Sequence, residues 1–484
     1  MLEKVWGCSI DGVIPQIIQV EIDLQIGIGL KIVGGVSSGI KESIYRIISA
    51  LKNSGQKFPG RKITINFAPV NITKKGSQLD LAIALGVLAA HEKLNLKAYK
   101  DYLILGELSL DGTLKPIQGV LSIAIEAVKK GYKGIILPKS NLVEASHVVG
   151  LKYIGINSIR EFIDITRGRL EVPSYSFSKT SPNGNNHADF NEIQGMQQAK
   201  RALMIAAVGR HNILFSGPPG IGKSLLIKSY PGILPPLSKT ESMEVSSIYS
   251  IMGLLDPNQG LKTRAPIRNP HHLISASALI GGGNNPIPGE ISLAHHGVLF
   301  LDEFNEFPKK QIESLREPLE HQLIHIDRLQ KKTIFPCDFQ LIGCFNPKQN
   351  ATKGFSSAIE DRIDMMLSLN KNPKNTQSDP SLNTRDMSKN VLKARNIQNK
   401  RYQQSSYKYN SRIPYGNLKQ WCLLNKDSEQ MLNKLKEKLD YSPRAIHKIL
   451  RVARSIADLD LESKVSKEHI LEAAALCPRS QKKA

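Results

Sequence analysis

Apolar residues cluster along this chain in two rhythms. Short β-like runs (Ile17–Ile22, Lys62–Phe67, Tyr102–Leu105, Gly134–Leu137) alternate with stretches at helical spacing (Ser38–Ser54, Leu79–His91, Val120–Lys130). That mixture predicts an α/β or α+β domain over residues 1–168. Ser174–Asn186, with its Ser-Pro-Asn-Gly-Asn-Asn core, is too polar to bury and predicts a linker over 169–189. Three apolar runs, Asn212–Ser216, Gly297–Leu301 and Phe339–Phe345, predict buried strands of a parallel sheet in an α/β domain over 190–373. A second polar stretch, Asn370–Asn383, predicts a linker over 374–387, and a helix-rich tail occupies 388–484. Within that tail Ser442-Pro443-Arg444 reads as a helix start, with Ser at the N-cap and Pro in the first turn. Ile446, Ile449, Leu450, Ala453, Ile456 and Ala457 then follow at helical spacing.

The three strands of the middle region each end in chemistry. The first runs into Gly217-Pro218-Pro219-Gly220-Ile221-Gly222-Lys223-Ser224. Its glycines let backbone N–H groups turn towards phosphate oxygens, Lys223 supplies a cation for the β and γ phosphates, and Ser224 can hold Mg2+. The second strand ends in Asp302-Glu303, two acids that are costly to bury without a metal or water partner. Asp302 is suited to Mg2+ and Glu303 to polarising an attacking water. The third ends in Asn346, which in that position can orient the water or sense the γ-phosphate; a lone Asn there is otherwise a turn residue. These features predict an ATPase using ATP and Mg2+.

The order of these motifs resembles the AAA+ superfamily, and the connecting residues resemble its magnesium-chelatase-like YifB/ComM family. The resemblance is carried by Pro270-His-His-Leu-Ile-Ser275, Leu279-Ile-Gly-Gly-Gly283, Pro288-Gly-Glu-Ile-Ser-Leu-Ala-His295 and Leu315-Arg-Glu-Pro-Leu-Glu320. It implies that Arg362, in Glu360-Asp-Arg-Ile-Asp364, is an arginine finger entering a neighbouring subunit's site, as an alternative to a surface ion pair with Asp361 or Asp364. It also implies that Arg444 is a second sensor of the γ-phosphate, and that the chain forms a homo-oligomeric, hexameric ring with a helical lid at its carboxy end. Members usually carry a longer, cysteine-rich segment between the Asn and the finger; here Arg362 arrives only sixteen residues after Asn346.

The first domain resembles the Lon-protease, ribosomal-S5-like domain of the same family, through Gly106–Pro116 and Ile135–Asn141. Proteolysis by that fold needs a Ser activated by a Lys. Gln78 stands where the Ser is expected, beside Ser77, and Gln118–Ile123 offers no Lys, so an inactive protease shape is predicted.

Composition then narrows the partner. Of 484 residues, 65 are Lys or Arg and 43 Asp or Glu, a net charge of +22 that favours a polyanion. Arg444, Lys448, Arg451 and Arg454, spaced three or four apart, form either a DNA-facing stripe or a solvated helix face. Together with the resemblance, this predicts a motor on single-stranded or branched DNA that moves branch points during integration of transforming DNA. A magnesium-chelatase-type motor subunit, acting through a protein partner, is the alternative. A non-enzymatic interaction protein is opposed by the intact motifs. Five scattered cysteines without a Cys-x-x-Cys pair, no long apolar run and no basic leader predict a cytoplasmic protein without a membrane partner. The pairs His271/His272 and His295/His296 lack a full ligand set at a recognised spacing, so a metal is not predicted there.

Overall fold

The computed structural model describes residues 2–35, 37–70, 74, 76–172, 188–256, 260–283, 286–328, 331–346, 356–370, 383–439 and 441–477. Residues 347–355, in the stretch between Asn346 and Arg362 where a longer cysteine-rich segment is expected from the resemblance, lie outside them, as does Ser174–Asn186. Two compact units are formed, one from Met1–Pro182 with Ser242–Lys262, the other from Asn183–Glu241 with Thr263–Ala484.

In the first unit, β1 (Leu2–Asp11) and β2 (Ile14–Gln25) form an antiparallel hairpin whose turn uses Gly12 at φ +63°. β3 (Gly29–Val33), α1 (Ser38–Asn53), β4 (Lys62–Ala68), α2 (Asp80–Ala90), β5 (Tyr102–Ile104), α3 (Val120–Lys129), β6 (Gly134–Pro138), β7 (Lys152–Ile156) and α4 (Ile159–Thr166) follow. The sheet order is β3-β4-β2-β1-β5-β6-β7, antiparallel among β1, β2 and β4 and parallel elsewhere. Alternation in β4 sends Ile63, Ile65 and Phe67 into the core while their neighbours stay partly exposed. Helix α2 is buried along its whole length, which explains its nearly unbroken apolar sequence. Its Gly86 allows close approach to the sheet: a Cβ there would lie 2.2 Å from the Ile22 side chain.

The second unit begins with α5 (Gln197–Gly209), β8 (Ile213–Ser216) and α6 (Lys223–Ser229); α7 (Lys239–Ile251) follows, and from Ser242 on it belongs to the first unit. Then come β9 (Ile267–Arg268), β10 (Val298–Leu301), the antiparallel hairpin β11 (Leu323–Arg328) and β12 (Lys331–Pro336), β13 (Gln340–Phe345) and β14 (Met365–Ser368). Helices α8 (Thr384–Arg401), α9 (Lys426–Leu439), α10 (Pro443–Leu459) and α11 (Lys467–Leu476) complete it. The sheet is parallel, in the order β9-β10-β13-β8-β14. This is the mixed α/β architecture with a parallel sheet that the buried apolar runs predict. One core joins sheet and carboxy-terminal helices, with Ile213, Phe215 and Ile342 in the same cluster as Ile449, Val452 and Ile456.

Helix α10 starts as its sequence predicts. The Ser442 hydroxyl accepts from the Ala445 N–H at 3.3 Å, and Pro443 opens the first turn. Its basic residues are a different matter, because neither the DNA-facing stripe nor the solvated face forms. Lys448 is buried and donates to the Ile363 and Glu360 carbonyls at 2.7 and 3.0 Å. Arg451 donates to the Ile413 carbonyl, and the fully buried Arg454 is neutralised by Asp458 at 3.0 Å. Only Arg444 of the four keeps a largely exposed side chain. Spacing alone does not separate these cations from surface ones, because the partners of Lys448 and Arg451 come from distant segments.

The segment Ser242–Lys262 leaves the second unit and folds with the first. Met243 and Leu261 pack against the cluster containing Leu103, Val120, Leu121 and Ile135. The Ser250 hydroxyl donates to the buried Glu144 carboxylate, which also accepts from the Leu121 N–H at 2.9 Å, and the Gly119 N–H donates to the Ser250 carbonyl. Among the described residues no helix is long and apolar enough to cross a membrane.

Candidate active site

Parallel strands leave a crevice beyond their carboxyl ends, where successive strands deliver loops side by side. Residues 217–224 emerge there from β8, with Gly222 at φ +97° just before α6. Gly217 is held close to the chain after β14, where a Cβ would lie 2.8 Å from the Leu369 carbonyl oxygen. Its N–H donates to the Phe345 carbonyl, tying the loop to β13. Pro218 and Ile221 are partly exposed, and Pro219 and Gly220 are exposed. The Lys223 ammonium donates back to the Gly217 and Pro218 carbonyls at 2.5 and 2.9 Å. A cation so placed, in a glycine-rich turn at a helix N-terminus, matches phosphate oxygens as alternative partners.

Asp302 and Glu303 leave β10, separated from β8 by β13, at the same end of the sheet. The Ser224 hydroxyl donates to Asp302 Oδ2 at 3.0 Å, so the two expected Mg2+ ligands already meet. Oxygen donors of this kind, one hydroxyl and one carboxylate, suit Mg2+, which takes few protein ligands and leaves the remainder to water and phosphate. Asp302 Oδ1 accepts from the Glu303 N–H at 3.0 Å. Glu303 itself has φ +51° and ψ +48°, a left-handed conformation that costs about 1 kcal/mol for a residue with a Cβ. Its carboxylate is 64% exposed and lies 3.2 Å from Nδ1 of His272. Asn346 is the residue after β13, partly buried, and so at the same end of the sheet.

Arg362 and Arg444 are elsewhere. Arg362 lies three residues before β14, whose Met365 is in register with Ile213 and whose Ser368 is in register with Ser216. Residues 217–224 follow Ser216, so the full length of β8, about 13 Å at 3.3 Å per residue, separates them from the segment that carries Arg362. The Arg362 guanidinium pairs with Glu320, holding that carboxyl below its ordinary range, and donates to the Ala358 carbonyl at 3.3 Å. The ion pair expected as the alternative role is therefore made with Glu320, a residue of the Leu315–Glu320 run. Arg444 pairs with Asp361 at 2.7 Å, next to Arg362 in the chain. The structure thus brings together residues 217–224, Asp302, Glu303 and Asn346 at one end of the sheet, and Arg362 with Arg444 at the other.

The segment around Arg362 has a buried footing. The Asn212 side chain donates to the Arg362 carbonyl at 2.9 Å, and the Asn212 N–H to Asp364 Oδ2 at 3.0 Å. His211, fully buried, lies 3.6 Å from Asp364 and hydrogen-bonds Ser455 of α10 at 2.7 Å. Burial would raise the Asp364 carboxyl, but His211, Lys448 and the Asn212 N–H outweigh it and hold it low. The histidine contacts escape sequence reasoning. His272 shows there only as half of a pair weighed for metal, and nothing local marks its reach to a residue thirty-one positions on.

Comparison with known proteins decides the family. Residues 189–358 match the model described as magnesium chelatase, subunit ChlI; residues 20–141 match subunit ChlI of Mg-chelatase; and residues 381–476 match the ChlI C-terminal model. The YifB protein of Salmonella typhimurium is 35% identical over 95% of this chain and 93% of its own length. Competence protein ComM of Haemophilus influenzae is 36% identical over 96% and 94%. The chain belongs to the YifB/ComM family. A magnesium-chelatase 67 kDa subunit of Chlorobaculum parvum is more distant, at 23% identity over 37% of this chain and 26% of its own. For this YifB/ComM protein, membership of a magnesium-chelatase-like AAA+ family implies an ATPase dependent on ATP and Mg2+.

Proposed function

We propose that this YifB/ComM-family chain is a ring-forming, ATP-driven motor that works on DNA in the cytoplasm, moving branch points as transforming strands are integrated. The observation that carries the reading is the separation just described: the nucleotide-holding residues and the two arginines occupy opposite ends of one parallel sheet. An arginine side chain does not span that distance, so both arginines serve a neighbouring copy. A head-to-tail arrangement of this kind closes into a ring, hexameric in this family.

In this reading the loop N–H groups and Lys223 bind the β and γ phosphates of ATP, while Ser224 and Asp302 hold Mg2+. Bound there, Mg2+ neutralises phosphate charge. Glu303 takes the proton of the attacking water, and Asn346 orients that water. Arg362 and Arg444 from the adjacent copy stabilise charge on the γ-phosphate. The helices from Thr384 onwards act as the lid.

The net charge of +22 supports a DNA partner, since a motor tracking phosphates needs cations along its path. Burial of Lys448 and Arg454 and the bonding of Arg451 to the Ile413 carbonyl move that path away from the helix. The first unit is read as a Lon-like domain serving assembly or substrate contact. Its Ser77 hydroxyl donates to Glu107, the Lys74 ammonium donates to the Gly34 carbonyl at 2.7 Å, and Gln78 donates to the Cys8 carbonyl at 2.9 Å. None of these contacts is a Ser–Lys pair.

The test is the ATPase rate of the full chain with and without single-stranded and branched DNA, at several salt concentrations. The expected result is stimulation that weakens as salt rises. Absence of both binding and stimulation by DNA, with stimulation by a chelatase-type partner protein, would transfer the chain to the magnesium-chelatase-type motor that the Chlorobaculum match favours.

A further inference from the structure

The contact between His272 and Glu303 has no part in the assignments above. His272 belongs to a short segment after β9 that is fixed from several sides. The Ile274 N–H donates to the His271 carbonyl at 2.9 Å, and the Leu273 N–H to His271 Nδ1 at 3.3 Å. The buried Gln311 side chain donates to the Ile274 carbonyl at 2.6 Å, and Ser275 caps the helix Ala276–Ile280. The His272 ring lies against His271, centroids 4.1 Å apart, and meets Phe307 edge-on at 6.4 Å. It is 24% exposed where Glu303 is 64% exposed. A well-held imidazole thus touches a largely exposed carboxylate.

We infer that His272 is a positioning residue for the hydrolytic step, fixing Glu303 so that one carboxylate oxygen is engaged by Nδ1 while the other faces the attacking water. This deepens the reading of Glu303 as the base and rests on it. An exposed glutamate samples several rotamers, and fixing one end removes that freedom before ATP arrives. The left-handed backbone of Glu303 narrows the range of its side chain further. His272 acts through Glu303 and holds no phosphate in this scheme, so nucleotide affinity is not its task.

Steady-state ATPase of the full chain tests this, with nucleotide affinity read separately by a fluorescent ATP analogue. His272→Phe keeps a ring against His271 and Phe307 but removes Nδ1. It is expected to lower kcat about tenfold or more, with KM for ATP and analogue affinity within about twofold of wild type. His272→Asn, whose amide nitrogen falls near the Nδ1 position, should recover part of the loss, and His272→Leu none. In a Glu303→Gln background, His272→Phe should cost nothing further. A kcat for His272→Phe at or above wild type overturns the inference, as does an equal loss with and without Glu303. Should one variant misfold by thermal melting, the order of Asn above Leu still decides. If Glu303→Gln itself turns over at the wild-type rate, the base assignment fails instead, and that result is distinct.

Discussion

Mixing two inactive variants tests whether one site is built from two copies. Lys223→Ala removes the ammonium that now bonds the Gly217 and Pro218 carbonyls, leaving that copy unable to hold the phosphates. Arg362→Ala removes the cation on the far side of the sheet while leaving the copy's own loop, Asp302 and Glu303 untouched. Loss of an arginine finger lowers turnover by roughly 10³–10⁵-fold, so each variant alone is expected to be nearly silent. In a ring assembled at random from equal amounts, a site is whole when its nucleotide side comes from one variant and its finger side from the other. Each has a chance of one half, giving recovery of about a quarter of wild-type ATPase activity for independent sites. If Arg362 served its own copy's nucleotide, no mixed site would be whole. The strand length of about 13 Å makes that second case geometrically unfavourable. The assay is phosphate release after denaturing and co-refolding, or co-expressing, the two variants, against each alone at the same total concentration. A mixture no more active than the mean of its parts, in particles shown by mass to contain both variants, would refute the reasoning. Asp361→Asn, which frees Arg444 without touching Arg362, should leave the recovery intact.

Two further expectations concern the frame of the site. Burial would raise the Glu241 carboxyl, but the Ser238 N–H and hydroxyl and the Tyr409 hydroxyl outweigh it and bring it down to about 2. A depressed acid contributes stability above its unfolded pKa of 4.5 and loses it as pH falls towards 2. The contribution is at most roughly 3 kcal/mol, and about 2 after residual solvent screening. Glu241→Gln should therefore melt earlier than wild type at pH 6, with the gap closing below pH 4.5; a gap constant down to pH 3.5 would contradict this. Lys448→Met removes both cationic bonds to the Glu360 and Ile363 carbonyls, and should cost about 1–3 kcal/mol in denaturant unfolding. By loosening the finger segment it should also lower kcat more than ATP affinity, and an unchanged kcat with lowered stability would confine Lys448 to scaffolding.

Much of this was legible along the chain for a physical reason. Buried parallel strands need unbroken apolar runs, and β8, β10 and β13 have them, so the acids and glycines at their ends stand out. Amphipathic spacing likewise located α10, and Ser442-Pro443 its first turn. Other parts left no such mark. The two-residue β9 is too short to show a period, and β1, with Lys4, Trp6 and Ser9 among its apolar positions, does not read as a run. The basic residues of α10 carry the spacing of a surface stripe, yet their partners Glu360, Ile363 and Ile413 come from other segments. Pairings such as His272 with Glu303, or Arg362 with Glu320, exist only once the loops between strands have closed.

The exchange of Ser242–Lys262 has a consequence for how this protein can be taken apart. A fragment starting at residue 183 would carry that segment without the surface that covers Met243 and Leu261 and without the Glu144 carboxylate that engages Ser250. A fragment ending at residue 182 would lack the strap its own core packs against. Neither cut at the polar linker yields a finished piece. A chimera that swaps one half for a relative's therefore has to carry this twenty-one-residue segment with the first unit rather than with the stretches of chain that flank it.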